Sequence, residues 1–412
     1  MTIRSIEMKP PAPVALPRVS NTDGTAPDLD VLVVCNAYPS PGVLYRNGFI
    51  HRRVLAYVSA GMRVRVFYHH EPVATPYDYE FEGVSVEVGR SRDLLALLRG
   101  ETFDAVLVHF AEPGRIQPLI EAQVSCPVLV WVHGFEAEAW HRRWFNFLDS
   151  AEEAIVALER RTSYYEEQNA FLRHLVTDEP LDFTWINVSE WFQRMVVEPD
   201  IGAEMHGSHV IPNLVDERLF RFEPKEDADR LRVLSIRPFA SRKYANDLTV
   251  RAIKELSRRP FFGELEFTIC GEGRLFEREV ADLRDLPNVS LHERFFSQDE
   301  IVYLHQLHGV FLAPTRFDSQ GVSMCEAMSS GLATISSDVA AIPEFIENRV
   351  TGMLAPPESA VGLADAVEEL YFDPDLFQQI SGGGARRMRS QCGHEQTVHR
   401  EVALIREKVR RG

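Results

Sequence analysis

Short runs of consecutive apolar residues alternate along this chain with stretches whose apolar residues recur every three to four positions. The alternation runs through twice. In the first pass DVLVVC from Asp30, MRVRVF from Met62, GVSVEV from Gly83, DAVLVHF from Asp104 and PVLVWVHG from Pro127 predict strands. Helical spacing falls between them at Phe49–Ser59, which Gly61 stops, at Ser91–Leu98 and at Gly114–Ala122. FTWIN from Phe183 adds another strand, and Ser189-Glu190 is placed to cap the helix after it. In the second pass LRVLSIR, LEFTICG, NVSLHER, GVFLAPT, ATISSD and TGMLA read as strands. The intervening helices are Asn246–Ser257, Arg274–Leu283, Gln298–Leu307, Val322–Ser330, Ile342–Ile346 and Ala360–Leu370. Near-continuous apolar strands alternating with helices predict parallel sheets covered on both faces. Such sheets bind ligands beyond the carboxyl ends of their strands.

The places where the alternation stops mark the domain plan. Residues 1–28, rich in Pro, Thr and small side chains, predict a disordered tail. A first domain then spans 29–215 and a second 216–390, with the boundary between Asp216 and Asp229. Both are Rossmann-like. The first has no G-x-G-x-x-G, so a dinucleotide fingerprint is absent. Residues 136–182 are acidic, aromatic and helix-prone, too long for a simple connection. Within them Trp140-His141-Arg142-Arg143-Trp144-Phe145 pairs basic and aromatic side chains. Two readings stand: a helical insertion packed on the first domain or against another subunit, or a contact with an acceptor or a membrane surface. Gly382–Gly384 reads as a hinge before a C-terminal helix, 391–412.

Composition narrows the function classes. The chain has 412 residues, 45% of them hydrophobic, enough for two sizeable cores. A formal net charge of −17 disfavours nucleic acid and anionic membrane as default partners. The five cysteines are scattered without a C-x-x-C pair, which predicts buried free thiols in a reducing compartment. No apolar run approaches the roughly 18 residues that span a bilayer, and the N-terminus lacks a secretion signal's apolar core. The expected location is the cytoplasm, with peripheral membrane or homo-oligomer contact through 136–182 as an option.

Candidate chemistry concentrates in GVFLAPTRFDSQGVSMCEAMSSG, residues 309–331. An apolar strand runs into a polar turn, Arg316 to Gly321, and then into a helix that Gly331 ends. A strand-end loop feeding a helix start presents free backbone N–H groups and the positive end of the helix dipole. Ser319, Gln320, Gly321, Val322 and Ser323 thus form a candidate anion site suited to a phosphate. Two carboxylates flank it, Asp318 in the loop and Glu326 one turn into the helix. Carboxylates beside a phosphate site can accept hydrogen bonds from sugar hydroxyls. Arg237, ending a strand, and Lys243, in the loop after it, supply positive charge, with Arg242 a rival to Lys243. His133 sits at a strand end, where it serves packing or a ligand. Asp373-Pro374-Asp375 reads as a helix-start turn and not a metal motif. His305 and His308 share a helix face without further ligands, so no metal is expected.

Asp318, Gly321, Glu326-Ala327-Met328, Ser330 and Gly331 together resemble the signature of retaining nucleotide-sugar glycosyltransferases of family four. Asp318 stands where that family usually has Glu, a side chain shorter by roughly 1.5 Å. HVIPNLVDERLF resembles the family's interdomain segment, with Leu214 in place of its usual Gly. The resemblance covers most of residues 30–410, with 136–182 as the main exception. It implies the GT-B fold, two Rossmann-like domains with parallel sheets facing a cleft, and a C-terminal helix that crosses back to the first domain. It also implies a nucleotide-sugar donor, a glycan, polysaccharide or lipid-linked acceptor, and retention of configuration. On the matching positions, Asp318 and His133 would touch the donor sugar, Glu326 the ribose, and Arg237 and Lys243 the diphosphate. Gly42 or Gly48 would approach the diphosphate, while Gly271 of Gly271-Glu272-Gly273 and Arg294 would lie near the nucleotide. Arg, Lys and backbone N–H groups can neutralise the diphosphate, so no cofactor is required. Two alternatives share the architecture: a nucleotide-sugar epimerase, and a non-catalytic nucleotide-sugar-binding subunit.

Overall fold

The computed structural model describes residues 29–41, 47–148 and 150–411. The tail expected over 1–28, and Gly42, lie outside the described residues. The chain divides into two compact units. Of the described residues, the first takes those up to Arg142, Ile155–Leu214 and those from His394 onward; the second takes those of Arg143–Ala154 and Val215–Gly393.

The first unit is built on eight strands: β1 Asp30–Cys35, β2 Arg63–His69, β3 Tyr77–Phe81, β4 Val84–Gly89, β5 Ala105–His109, β6 Val128–Val132, β7 Phe183–Asn187 and β8 His209–Val210. Their order is β3-β4-β2-β1-β5-β6-β7-β8. Every pairing is parallel except β3–β4. The sequence pattern missed β3. YDYEF is polar and exposed at most positions, and it joins the edge through a two-residue turn at Glu82 (φ 46°) and Gly83 (φ 81°). The central strands β1, β5 and β6 are buried almost throughout, as their unbroken apolar runs require.

Helix Val398–Arg411 belongs to this unit, and its Val402, Leu404 and Ile405 enter the same core as Val31, Val33 and Tyr57. A charge pair goes in with them. The Arg53 guanidinium donates to Glu401 (Nε–Oε1 3.0 Å), and both side chains are fully buried. Tyr57 and Trp131 donate to the same carboxylate at 2.5 and 3.2 Å, and Arg53 donates to Asn213 Oδ1 at 3.0 Å. The carboxylate oxygens are thereby satisfied, which is the condition for burying such a pair.

The second unit holds β9 Arg232–Ile236, β10 Glu266–Gly271, β11 Val289–Glu293, β12 Val310–Leu312, β13 Ala333–Ser337 and β14 Met353–Ala355. All are parallel, in the order β11-β10-β9-β12-β13-β14. The chain leaves β9 toward one edge and returns to its other side at β12. The carboxyl ends of β9 and β12 therefore flank the topological switch point, the place where open α/β sheets bind ligands. In the first unit β1 and β5 have the same relation.

The hinge expected at Gly382–Gly384 is not there. Helix Pro374–Cys392 runs straight through it. A Cβ on Gly383 would meet the Val350 carbonyl oxygen at 2.5 Å, and one on Gly384 the Thr351 carbonyl oxygen at 2.9 Å. These glycines let a backbone pack close to the helix; they do not loosen it. Asp373 caps this helix by accepting the Leu376 N–H at 2.9 Å, with Pro374 in the first turn.

His305 and His308 are hydrogen-bonded inside the second unit's core. His305 Nδ1 bonds Ser330 Oγ at 2.9 Å, and His308 bonds the Leu304 carbonyl at 2.7 Å and Thr268 Oγ1 at 2.9 Å. Burial pushes His305 down to about 3 and His308 to about 4. Histidine in an unfolded chain titrates near 6.5. As pH falls below that value the unfolded chain takes up these protons first, so stability is lost. The expected loss is about 1.4 kcal/mol per pH unit for each such histidine. Urea unfolding between pH 7 and 5 checks this, and the double variant His305→Gln, His308→Gln should flatten the dependence.

Candidate active site

Three loops meet at the switch point of the second unit. The first leaves β9 with Arg237, which is 4% exposed. Its Nη1 donates to Ser323 Oγ at 2.9 Å, and its Nη2 lies 3.8 Å from Asp318 Oδ2, beyond hydrogen-bond range. The guanidinium rests over the Tyr244 ring at 5.0 Å. Nε and Nη2 are buried with no hydrogen-bond partner in the protein. A buried cation with unused donors is costly unless an anion completes it.

The second loop is Gly271-Glu272-Gly273, and its glycines have a steric task. Gly271 has φ 152° and Gly273 φ 148°. A Cβ on Gly271 would fall 2.0 Å from the Arg237 carbonyl oxygen, and one on Gly273 2.3 Å from the Phe239 carbonyl carbon. The close approach lets Arg237 N–H bond the Cys270 carbonyl at 3.1 Å and Phe239 N–H the Glu272 carbonyl at 2.9 Å. The loop thus sets where Arg237 stands. Gly271→Ala is expected to cost about 2 kcal/mol or more, because both the conformation and the space are denied. A lowered Tm, with nucleotide affinity falling alongside it, checks this.

The third loop follows β12 and enters helix Val322–Ser329 through Gly321, whose φ of 78° suits glycine. Asp318 Oδ1 accepts the Gly321 N–H at 2.9 Å and the Gln320 N–H at 3.4 Å. One oxygen of Asp318 is therefore committed to holding the turn, leaving Oδ2 on the Arg237 side. Gln320 turns inward, its amide reaching Cys392 Sγ at 3.7 Å, so its side chain packs and only its backbone faces the turn. Ser319, Val322 and Ser323 are partly exposed around the helix start, and Glu326 is partly exposed one turn further in.

Lys243 lies in the one-turn helix Arg242–Tyr244, with its ammonium 5.8 Å from the Tyr244 ring centre. The sequence pattern gave no hint of what fixes that turn. The Lys243 carbonyl accepts Arg316 N–H at 2.9 Å and Thr315 Oγ1 at 3.1 Å. The buried Arg316 side chain then spans Asp247 (2.7 and 2.8 Å), Glu358 (2.7 and 2.9 Å) and the Arg242 carbonyl (2.9 Å). Arg316 had read only as a polar turn residue. It locks the β12 loop to the Lys243 turn through fork-shaped pairing that lysine could not reproduce. Arg294 follows β11, stacked over Phe296 at 3.8 Å and paired with Glu300 at 2.9 Å.

His133 and Gly48 belong to the first unit. Gly48 opens helix Gly48–Ser59 behind Asn47, whose φ is 53°. His133 follows β6. Its backbone N–H and that of Gly134 donate to the buried Glu136 carboxylate at 2.6 and 2.9 Å. Its ring lies between Phe49 (5.1 Å) and Phe110 (4.7 Å) and bonds His109 (2.9 Å). Burial, with the Arg53 charge adding to it, holds both histidines well below the ordinary imidazole range. Residues 136–182 carry helices Ala151–Arg160 and Glu167–Asp178. Part of the segment is tied to the first unit, since Arg142 pairs with Asp200 at 2.8 Å and Gln168 donates to the Ala111 carbonyl at 2.6 Å.

The family model described as "Glycosyl transferases group 1" matches residues 230–373, the stretch that carries all three loops. Residues 230–373 form a group 1 glycosyltransferase domain. This group 1 domain carries Arg237, Lys243 and Asp318 on the segments after β9 and β12, and Glu326 on the helix that follows. Two curated relatives are similar to part of the chain. One is alpha-D-kanosaminyltransferase of Streptomyces kanamyceticus, 28% identical over 159 residues, 38% of this chain and 40% of that protein. The other is the amylovoran biosynthesis glycosyltransferase AmsK of Erwinia amylovora, 33% identical over 143 residues, 32% of this chain and 34% of that protein. The match thus spans two fifths or less of either relative's length. Solved structures match far more of the chain. Sucrose-phosphate synthase from Thermosynechococcus elongatus aligns with a TM-score of 0.69 at 16% identity, covering 93% of this chain and 100% of that one. Anabaena HepE in complex with UDP-glucose aligns with a TM-score of 0.65 at 12% identity, covering 92% and 99%. The fold that the group 1 domain shares with the first unit is GT-B. Among the described residues no helix is long and apolar enough to cross a membrane.

Proposed function

We propose that the protein is a retaining glycosyltransferase that moves a sugar from a nucleotide-sugar donor to a glycan, polysaccharide or lipid-linked acceptor. One observation carries the reading. Arg237 is a buried guanidinium with unused donors, held at a β-sheet switch point beside the start of helix Val322–Ser329. A diphosphate is the ligand that such a group, a helix N-terminus and a nearby lysine would together hold. The group 1 family match and the UDP-glucose complex of HepE support the same chemistry.

In the proposed reaction the bond from the anomeric carbon to the diphosphate oxygen breaks, and charge grows on that oxygen. Arg237, Lys243 and the helix N–H groups are already fixed around it, so they stabilise the transition state more than the ground state. The departing oxygen takes the acceptor's proton on the same face, which retains configuration without a covalent nucleophile. Glu326 accepts hydrogen bonds from the ribose, and Asp318 Oδ2 contacts the sugar. The charge comes from the protein's own groups, so the proposed reaction runs without a metal.

A thermal-shift screen against UDP, GDP, ADP and dTDP sugars, followed by turnover with each stabilising donor, tests the reading. Transfer that persists in EDTA is the expected result. Interconversion of the donor without an acceptor would mean an epimerase, and binding without turnover a non-catalytic subunit. Unchanged transfer in both Lys243→Ala and Glu326→Ala would remove the site assignment.

A further inference from the structure

Arg316 lies in the same loop as Asp318, yet its side chain has nothing left to give an anion. A guanidinium carries five N–H donors. Nε gives one to Glu358 Oε1 (2.7 Å). Nη1 gives two, to Asp247 Oδ1 (2.7 Å) and the Arg242 carbonyl (2.9 Å). Nη2 gives two, to Asp247 Oδ2 (2.8 Å) and Glu358 Oε2 (2.9 Å). All five are spent, the side chain is 1% exposed, and two carboxylates already outweigh its charge. Arg237 is the opposite case, a cation with donors unused.

What Arg316 holds is the backbone on both sides of Lys243. Its guanidinium grips the Arg242 carbonyl, in the peptide that precedes Lys243. Its own backbone N–H grips the Lys243 carbonyl, in the peptide that follows, at 2.9 Å. Between them the Lys243 N–H donates to Ser241 Oγ at 3.2 Å. The far ends of the clamp are anchored too. Asp247 sits at the start of helix Asn246–Leu256 and is also held by Arg251 at 2.6 Å, while Glu358 lies in the loop after β14. A lysine ammonium rides on a flexible four-carbon stem, so fixing its backbone is what limits where the charge can stand. We propose that Arg316 is a positioning residue: it touches no substrate and serves the reaction by fixing the backbone from which Lys243 reaches the diphosphate. This rests on the diphosphate role proposed above for Lys243.

A double-variant cycle in the full-length protein tests it, read by calorimetric titration with inorganic pyrophosphate, which carries the diphosphate without base or sugar. Lys243→Ala should weaken pyrophosphate binding by about tenfold, the cost of one hydrogen bond to a charged group. Arg316→Lys keeps the charge but not the fork, and should also weaken binding several-fold. The decisive result is their combination. A residue that acts through Lys243 has nothing to act on once the ammonium is gone, so the double variant should bind as Lys243→Ala does. A purely structural Arg316 would instead give losses that multiply, and that outcome overturns the inference alone. Pyrophosphate binding unchanged in Lys243→Ala would fell the site reading and this inference with it. Should Arg316→Lys fail to fold, Glu358→Gln takes its place in the cycle, loosening the clamp from its 42% exposed end. Its smaller loss should likewise vanish beside Lys243→Ala; no loss, or one that multiplies, overturns the inference.

Discussion

Arg237→Met is expected to lower sugar transfer by about 10²–10³-fold, the usual cost of losing one preorganised donor at a developing negative charge. The same substitution should leave the ligand-free protein at least as stable as before. The two halves of this expectation have one cause. Arg237 is 4% exposed, and two of its three nitrogens make no hydrogen bond, Asp318 Oδ2 standing 3.8 Å from Nη2. Its bond to Ser323 at 2.9 Å offsets only part of the cost of burying its charge. The folded protein carries that cost so that no reorganisation is needed when an anion arrives. Methionine fills much of the volume without the charge, so Tm should hold or rise while nucleotide no longer raises it. Donor turnover and thermal shifts with and without nucleoside diphosphate measure both halves. A fall in ligand-free Tm of several degrees, with transfer intact, would show Arg237 to be a structural residue.

Glu401→Ala should destabilise the first unit by about 3–5 kcal/mol, the range for removing one member of a buried ion pair. Arg53 would remain fully buried with Asn213 Oδ1 and the Pro212 carbonyl as its partners, and Tyr57 and Trp131 would lose their acceptor. Loss of charge balance, and not loss of volume, sets the size of the effect. The double variant Arg53→Met, Glu401→Leu should therefore recover most of the stability that Glu401→Ala loses. Denaturant unfolding of the three proteins gives the comparison. Equal destabilisation in the single and double variants would mean that the carboxylate's bonds to its three donors, and not the stranded charge, are what matters.

Much of this protein can be read along the chain, and the reason is local. An unbroken, β-branched run such as VLVWV favours a strand buried on both faces, and the apolar spacing of Gln298–Leu307 favours an amphipathic helix, and both stand where the pattern put them. Asp318, Gly321 and Glu326 are separated by a loop and one turn of helix, and short-range geometry places them together. Elsewhere the pattern was silent or misleading. The exposed, polar β3 carries no apolar signal. The glycines at 382–384 look the same in sequence whether they loosen a chain or admit a neighbour, and only the Val350 and Thr351 carbonyls packed against them tell which.

By itself, the sequence determined the parallel α/β plan, the loops at the strand ends and the residue types around a candidate phosphate site, while the sheet order that makes one of those ends a switch point came from the fold. Tertiary structure alone decided which charges are paired and which are left waiting. In the sequence Arg53 lies mid-helix beside Arg52, and Arg237 and Arg316 each follow an apolar strand run; the pattern gives none of them a distinct fate. One is neutralised by Glu401 from 348 residues away, one is buried with donors unused, and one is spent joining two loops. Burial and pairing depend on what the rest of the chain brings alongside, and in a low-dielectric interior that neighbour sets whether a cation is structural glue or a binding site.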